Sequence, residues 1–117
     1  MTSRSKRGPA RAATPELLAL VAERFRALAE PARLQLLHAL HKGERTVTDL
    51  VAETGMGQGN LSKHLQQLHA AGFVKRRRDG LFVYYELADA DVLELCEIMC
   101  GRLEADLAAT QQLVRAR

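Results

Sequence analysis

Residues 58–87 read QGNLSKHLQQLHAAGFVKRRRDGLFVYYEL, which joins a helical pattern to a hairpin pattern through a glycine. Leucines recur at helical spacing at Leu61, Leu65 and Leu68, and the pattern ends at Gly72. The other positions of this segment are polar, and those that we expect to contact nucleic acid are Gln58, Asn60, Ser62, Lys63, His64 and Gln67. A helix with one leucine face and one polar face is predicted, and such a polar face suits base edges and phosphates.

Asp79-Gly80 is a strong short signal for a tight hairpin turn. The segments 73–78 and 81–87 on either side contain strand-forming residues such as Tyr84, so we predict a two-stranded wing. The first strand carries four consecutive cations that are candidates for phosphate contacts: Lys75, Arg76, Arg77 and Arg78. Because side chains alternate along a strand, we expect only two of the four to face the same way.

Three helices are predicted before this stretch. Thr14 is a hydroxyl N-cap followed by a proline, and Pro31 opens a second helix. Thr46 and Asp49 resemble a capping box that starts a short third helix, which ends at Gly55. A tight turn then leads into the polar-faced helix, an order typical of a helix-turn-helix with a wing.

A long amphipathic helix is predicted after the wing, over residues 89–113. Its apolar side is larger than a body of this size covers alone, which favours dimerisation that buries this helix. The fold class is therefore mainly α with a small β-hairpin wing. Residues 1–13 are predicted to form a flexible basic tail, and residues 14–113 a winged helix-turn-helix domain for DNA binding and dimerisation.

The composition limits the classes of protein that need to be considered. A chain of 117 residues with 47% hydrophobic and 26% charged residues fits one globular domain and disfavours a two-lobed enzyme. The net charge is +3, but residues 1–13 hold four of the 17 cations and no acid, so the body is nearly neutral. No constellation of nucleophile, base and orienting group is present, and we expect no enzymatic activity. Two cysteines only four residues apart do not form a secreted disulfide framework, so we expect a reducing cytoplasm, and because no apolar segment has spanning length we expect no membrane contact.

Four motifs in order resemble the ArsR/SmtB family of small dimeric winged-helix repressors. FRALAEPARL at residues 25–34 resembles the start of the family's second helix, and LSKHL at 61–65 resembles its recognition helix. AGFV at 71–74 is similar to the exit of that helix, and residues 80–87 are similar to the second wing strand. The resemblance covers roughly residues 17–110.

This resemblance implies a homodimer that binds a palindromic operator in double-stranded DNA. Together with the apolar pattern of the last helix, it points to four interface residues: Leu93, Met99, Leu103 and Leu107. It also implies a repressor that an effector releases from its operator. The alternatives are a winged-helix module for protein interaction, or a regulator without cysteine-based sensing.

Two metal sites known in the family have lost ligands in this sequence. Thr46 and Thr48 occupy the positions of a cysteine pair at the start of the third helix. On the last helix, Arg102 and Ala105 stand where the second half of a zinc site is expected. Neither site is therefore predicted to bind metal.

Cys96 and Cys100 are four residues apart on the last helix and share one face. Three interpretations remain open. The thiols are small core residues, or they bind a soft metal or metalloid ion such as arsenite, cadmium or zinc, or they form a redox switch. A disulfide between them is geometrically unfavourable, because Cβ atoms at this spacing lie about 6 Å apart.

Gly57 and Gly59 flank Gln58 at the start of the polar-faced helix, where relatives often carry a serine cap and a proline. Glycine is a weak helix former, so these residues loosen the first turn. We expect that turn to become ordered only on DNA.

Overall fold

The computed structural model describes residues 12–115, which form a mainly helical domain with one small sheet. The predicted tail over residues 1–13 lies outside the described residues, except for its last two positions. A single 3-10 turn, Leu40–Lys42, separates the second helix from the first strand. The elements in chain order are α1 (Pro15–Leu28), α2 (Pro31–Ala39), β1 (Arg45–Thr46), α3 (Val47–Thr54), α4 (Gln58–Ala70), β2 (Val74–Asp79), β3 (Phe82–Leu87) and α5 (Asp91–Arg115). This is the predicted winged helix-turn-helix order.

The helix starts follow the local signals in the sequence. The Thr14 hydroxyl accepts from the backbone N–H of Leu17 at 3.1 Å, and a proline begins both α1 and α2. At α3 the capping box is complete, because the Thr46 hydroxyl accepts from the Asp49 N–H at 3.0 Å and the Asp49 carboxylate accepts from the Thr46 N–H at 3.1 Å. These bonds satisfy two backbone donors that a helix start leaves without partners.

The sheet has three antiparallel strands in the order β1-β3-β2: the predicted two-stranded wing is confirmed as β2 and β3, and β1 is a third strand that was not predicted. In β1, Arg45 pairs with Tyr85 and Thr46 pairs with Tyr84. A segment of two residues has no alternation from which a strand can be recognised, and only its pairing with β3 defines it. The wing strand β3 therefore pairs with β1, whose residue Thr46 also caps α3.

The hairpin turn is shifted by one residue from the prediction. Asp79 pairs with Phe82 as part of the ladder, so the two central turn residues are Gly80 and Leu81 rather than Asp79 and Gly80. Gly80 has a φ of +62°, and a glycine at the first central position is characteristic of a type II′ turn. Leu81 at the tip is 96% exposed.

The core is built from leucine and lies where α2, α3 and α4 meet the sheet. Seven leucines are essentially inaccessible to solvent, and they form one cluster with four partners: Leu28, Val74, Tyr85 and Val92. The three leucines predicted for the buried face of α4 are all in this group of seven. The core therefore fixes which side of α4 faces outward.

The last helix begins at Asp91 and ends at Arg115, so both ends lie two residues later in the sequence than predicted. Asp89 precedes it, and its carboxylate accepts from the Asp91 N–H at 2.9 Å in a local turn. Val92 is the buried residue of α5, so most of this helix, about 37 Å long, extends away from the core. None of the helices in residues 12–115 combines the length and the apolar content that crossing a bilayer requires.

Candidate nucleic-acid interface

The outward side of α4 carries polar side chains along its length. Gln58, Asn60, Lys63 and Gln66 are exposed, and Ser62 is half-buried. Because Leu61, Leu65 and Leu68 are held in the core, the register of this polar side is fixed by packing. A helix presented in this way can enter a major groove and offer hydrogen-bonding groups to base edges.

A groove of about 490 Å³ runs between α4 and the wing. On the helix side it is lined by Ser62 and Gln66, and on the wing side by Arg76, Arg77 and Arg78 of β2. In the ladder Arg76 lies opposite Tyr85, which belongs to the core, so the core-facing side of the sheet places Arg76 and Arg78 next to α4. The polar helix and three wing arginines therefore border one concave surface.

Arg77 has different surroundings from the arginines on either side of it. Its Nε and Nη2 atoms donate to the two carboxylate oxygens of Glu44, each at 2.8 Å, and Asp79 lies 3.7 Å away. The guanidinium also stacks on Tyr84, at 4.4 Å from the ring centroid. The hydrogen bonds from Arg77 lower the pKa of the Glu44 carboxyl, so this carboxylate stays ionised. Arg77 was predicted to contact phosphate, but its charge is balanced within the protein.

Lys75 lies on the same strand face as Arg77, since both alternate with Arg76. It pairs in register with Glu86, and both line a second depression together with Glu44. The four cations of β2 are thus divided between two environments. Arg76 and Arg78 lie on the strand face turned toward α4, whereas Lys75 and Arg77 lie on the opposite face beside carboxylates, and Arg77 also borders the groove.

Two predicted DNA-contact residues on α4 are engaged by an arginine from α2. Nη1 of Arg33 contacts Nδ1 of His64 at 3.2 Å and also donates to Oε1 of Gln67. Because a guanidinium only donates, His64 Nδ1 accepts in this contact and the ring's Nε2 carries the hydrogen. His64 and Gln67 therefore have a partner within the protein, whereas no side-chain hydrogen bond of Asn60 or Lys63 is found among the described contacts.

Two residues of this site were missed in the sequence. Gln66 was left out of the predicted contacts, although it is exposed and lines the groove. Arg33 was noted only as part of a motif, because nothing local to residue 33 indicates that it reaches residues 64 and 67. Helical spacing from Ser62 was the available signal for Gln66, since the two are four residues apart and share a face.

Cys96 and Cys100 lie on the first half of α5, where Cys96 is half-buried and Cys100 is exposed, both as free thiols. Burial, and to a smaller extent the neighbouring Cys100, raises the pKa of the Cys96 thiol. Within residues 12–115, no three His, Cys, Asp or Glu side chains cluster closely enough to hold a metal ion. Two thiols of one chain therefore need a further ligand to complete a typical soft-metal site.

Both terminal helices expose large apolar side chains. Of the predicted interface residues, Met99, Leu103 and Leu107 are 60%, 53% and 63% exposed, whereas Leu93 packs against the core of its own chain. The exposed apolar residues of α1 are Leu17, Leu18, Leu20, Val21 and Phe25. An apolar area of this extent on two helices is typical of an interface between protein chains.

Comparison with known proteins identifies the family. Residues 30–76 match the model of the bacterial regulatory proteins of the arsR family. A probable mercury resistance operon repressor of Streptomyces lividans is 44% identical over 86 residues, which are 73% of this chain and 67% of that protein. The chain belongs to the ArsR family. A second family member, the transcriptional repressor SmtB homolog of Synechocystis sp., is 39% identical over 95 residues, covering 77% of this chain and 72% of the homolog.

A solved structure supports the ArsR fold. The homodimeric winged helix-turn-helix DNA-binding domain of a possible ArsR-family regulator from Mycobacterium bovis aligns with a TM-score of 0.70 and 38% identity. The alignment covers 79% of this chain and 85% of that domain. The predicted family and fold class are therefore confirmed. ArsR proteins are transcriptional regulators, so the expectation that this chain is not an enzyme is confirmed as well.

Proposed function

We propose that this ArsR-family protein is a dimeric repressor that binds a palindromic operator in double-stranded DNA, acting in the cytoplasm. The observation that carries the proposal is the shared groove, which the polar side of α4 and three wing arginines border together. In this assignment α4 enters the major groove and the wing contacts the flanking phosphates. The residues proposed to contact DNA are Gln58, Asn60, Ser62, Lys63, Gln66, Arg76 and Arg78.

Dimerisation is proposed to occur through α1 and α5. The exposed apolar residues of both helices would be covered by their counterparts in a second copy, which removes a large apolar area from water. The relative from Mycobacterium bovis is described as homodimeric, which supports this assignment. Two α4 helices related by a two-fold axis then bind two half-sites about one helical turn apart.

The inducing signal is proposed to act at Cys96 and Cys100. These thiols lie on the helix proposed to pair the two chains, so a bound ion or an oxidation there changes the dimer geometry. Thiolates favour soft ions, and the relatives named above include a mercury resistance operon repressor. The further ligand comes from the partner chain's thiols in this proposal. Arsenite, cadmium, zinc and mercury are the ions to test.

The proposal is tested by fluorescence anisotropy of the reduced, metal-free protein on DNA from upstream of its own gene. Titration with each ion, and separately with a thiol oxidant, should release the DNA in one case or more. The double variant Cys96→Ser, Cys100→Ser should bind DNA as before and no longer respond. A double variant that responds normally would refute the cysteine site and leave a DNA-binding regulator with another sensor.

Two arginine variants separate DNA binding from a protein-interaction role. Arg78→Ala should weaken DNA binding and reduce the dependence of log K on log salt by about one, because one phosphate contact is lost. Arg77→Ala is the matched control on the neighbouring position, and its salt dependence should change less because Glu44 already balances that charge. If neither variant nor Lys63→Ala affects DNA binding, the wing and α4 serve another partner.

A further inference from the structure

Arg33 joins three helices through one guanidinium group. It projects from the first turn of α2, and its Nε and Nη2 atoms donate to the backbone carbonyls of Ala27 and Arg26, at 2.6 and 3.2 Å. Both carbonyls belong to the last turn of α1. The remaining nitrogen, Nη1, contacts His64 and Gln67 on α4. A single side chain therefore holds the end of α1 and the middle of α4 at the same time.

The chemistry of this contact requires arginine. Carbonyls in the last turn of a helix lack partners within the helix, and a cation placed there interacts favourably with the helix dipole. The planar guanidinium offers one edge to α1 and a third nitrogen to α4, in directions fixed relative to each other. A lysine keeps the charge but has one nitrogen, so it cannot hold both helices in a fixed orientation.

The two helices joined in this way have different parts in the proposed complex. The exposed apolar face of α1 belongs to the surface that pairs two chains, and α4 is the helix that enters the major groove. Leu28 is the buried residue of α1 and belongs to the core, where apolar packing has no fixed direction, whereas the Arg33 hydrogen bonds join the end of α1 to the middle of α4 in fixed directions. The orientation of α4 relative to the dimer axis therefore depends on the Arg33 contacts.

We infer that Arg33 is a positioning residue that sets the distance between half-sites that the dimer accepts, an inference that rests on the proposed function. It follows that Gln67 and His64 act in this contact rather than as readers of bases. Loss of the contact lets each α4 rotate against its α1, and the dimer then tolerates spacings that the native protein rejects.

The test measures how binding depends on half-site spacing. An operator is selected from random-sequence duplexes with the full-length protein, and its central spacer is then shortened or lengthened by single base pairs. Native protein should prefer one spacing by about tenfold or more, whereas Arg33→Lys should reduce that preference to about threefold or less, or move it to another spacing. Arg26→Lys is the matched control, since the exposed side chain of Arg26 is changed identically and its carbonyl remains.

Gln67→Ala provides a second variant that is expected to fold, because Gln67 is exposed. It should relax the spacing preference in the same direction as Arg33→Lys, and the two changes together should have little more effect than one. If Gln67→Ala instead alters the preferred base at one operator position and leaves the spacing preference intact, the inference is wrong. Retention of the native spacing preference by Arg33→Lys also overturns it, while failure of the native protein to select any DNA overturns the proposed function itself.

Discussion

The two helices of the helix-turn-helix, α3 and α4, begin in opposite ways. At α3, Thr46 and Asp49 form a complete capping box, and Gly55 closes the helix in the left-handed conformation at φ +76°. At α4, the N-cap is Gly57, which supplies no side-chain bond, and the first turn has no acidic residue. The supporting helix is thus specified by its own sequence, whereas the helix proposed to contact DNA depends on its neighbours.

What α4 lacks locally is supplied by tertiary contacts. Its three leucines are fully buried, and Arg33 contacts it from α2. The first turn of α4 is helical, with the Leu61 N–H bonded to the Gly57 carbonyl at 2.9 Å, and it presents the exposed Gln58 and Asn60 without a side-chain cap. The cost is that changes in the core affect α4 more than they affect a self-capped helix.

Removal of the core support of α4 should have the largest effect. Leu65→Ala is expected to reduce the free energy of unfolding by about 2–5 kcal/mol, because a fully buried leucine leaves a cavity. Urea denaturation at a fixed protein concentration measures this loss. The adjacent exposed residue gives the control, since Gln66→Ala should change stability by less than about 0.5 kcal/mol. Equal effects of the two changes would contradict the view that packing holds α4.

Removal of the cap should leave the start of α3 without a side-chain hydrogen bond, as at the start of α4. Thr46→Ala is expected to destabilise the protein by about 1 kcal/mol, because the Asp49 N–H loses its acceptor. Thr46→Ser keeps the hydroxyl and should retain most of that stability. If both variants unfold at the same urea concentration as the native protein, the capping box contributes nothing and the contrast between the helices fails.

The change in the free energy of unfolding at low pH should also depend on this capping box. Hydrogen bonds from Thr46, backbone first and hydroxyl second, lower the pKa of the Asp49 carboxyl. A group whose pKa is lowered by folding contributes stability above its unfolded pKa of about 4, and that stability is lost as the pH falls through the folded pKa. Asp49→Asn keeps an acceptor but cannot titrate, so its stability should decline less between about pH 5 and pH 2. Identical acid profiles would show that Asp49 is not linked to folding.

The smallest effect should come from giving α4 the cap that it lacks. Gly57 has extended backbone angles, φ −64° and ψ 143°, that suit a capping serine. Gly57→Ser is expected to raise stability by a few tenths of a kcal/mol. Amide hydrogen exchange of the first turn of α4 should slow down in this variant. If exchange there is unchanged, the start of α4 is already ordered by other contacts.

The same contrast explains which features could be predicted from the sequence. Thr14, Pro31, Thr46 and Gly55 act on backbone groups within a few residues, and the helix ends that they predict are confirmed. The turn was misplaced by one residue because Asp79-Gly80 satisfies the same local rule as the Gly80-Leu81 pair that forms it. Local rules of this kind cannot choose between neighbouring registers of a ladder.

Contacts between distant residues could not be predicted. Arg77 and Glu44 are 33 positions apart, and no local pattern indicates that this arginine, unlike Arg76 and Arg78, is held by a carboxylate. Arg33 reaches His64 and Gln67 over 31 and 34 positions. The helix and strands of the candidate interface could thus be predicted from the sequence. Which of their cations and amides are bound by other side chains of the protein depends on the tertiary structure.

The strand β1 has a consequence for protein engineering. Its second residue, Thr46, pairs with Tyr84 of the wing and also caps α3. Glu44, just before β1, holds Arg77 of the wing. Residues 74–87 of the wing are therefore not an independent structural unit. A chimera that exchanges the wing between regulators must also transfer residues 44–46, so that the first turn of the helix-turn-helix stays intact.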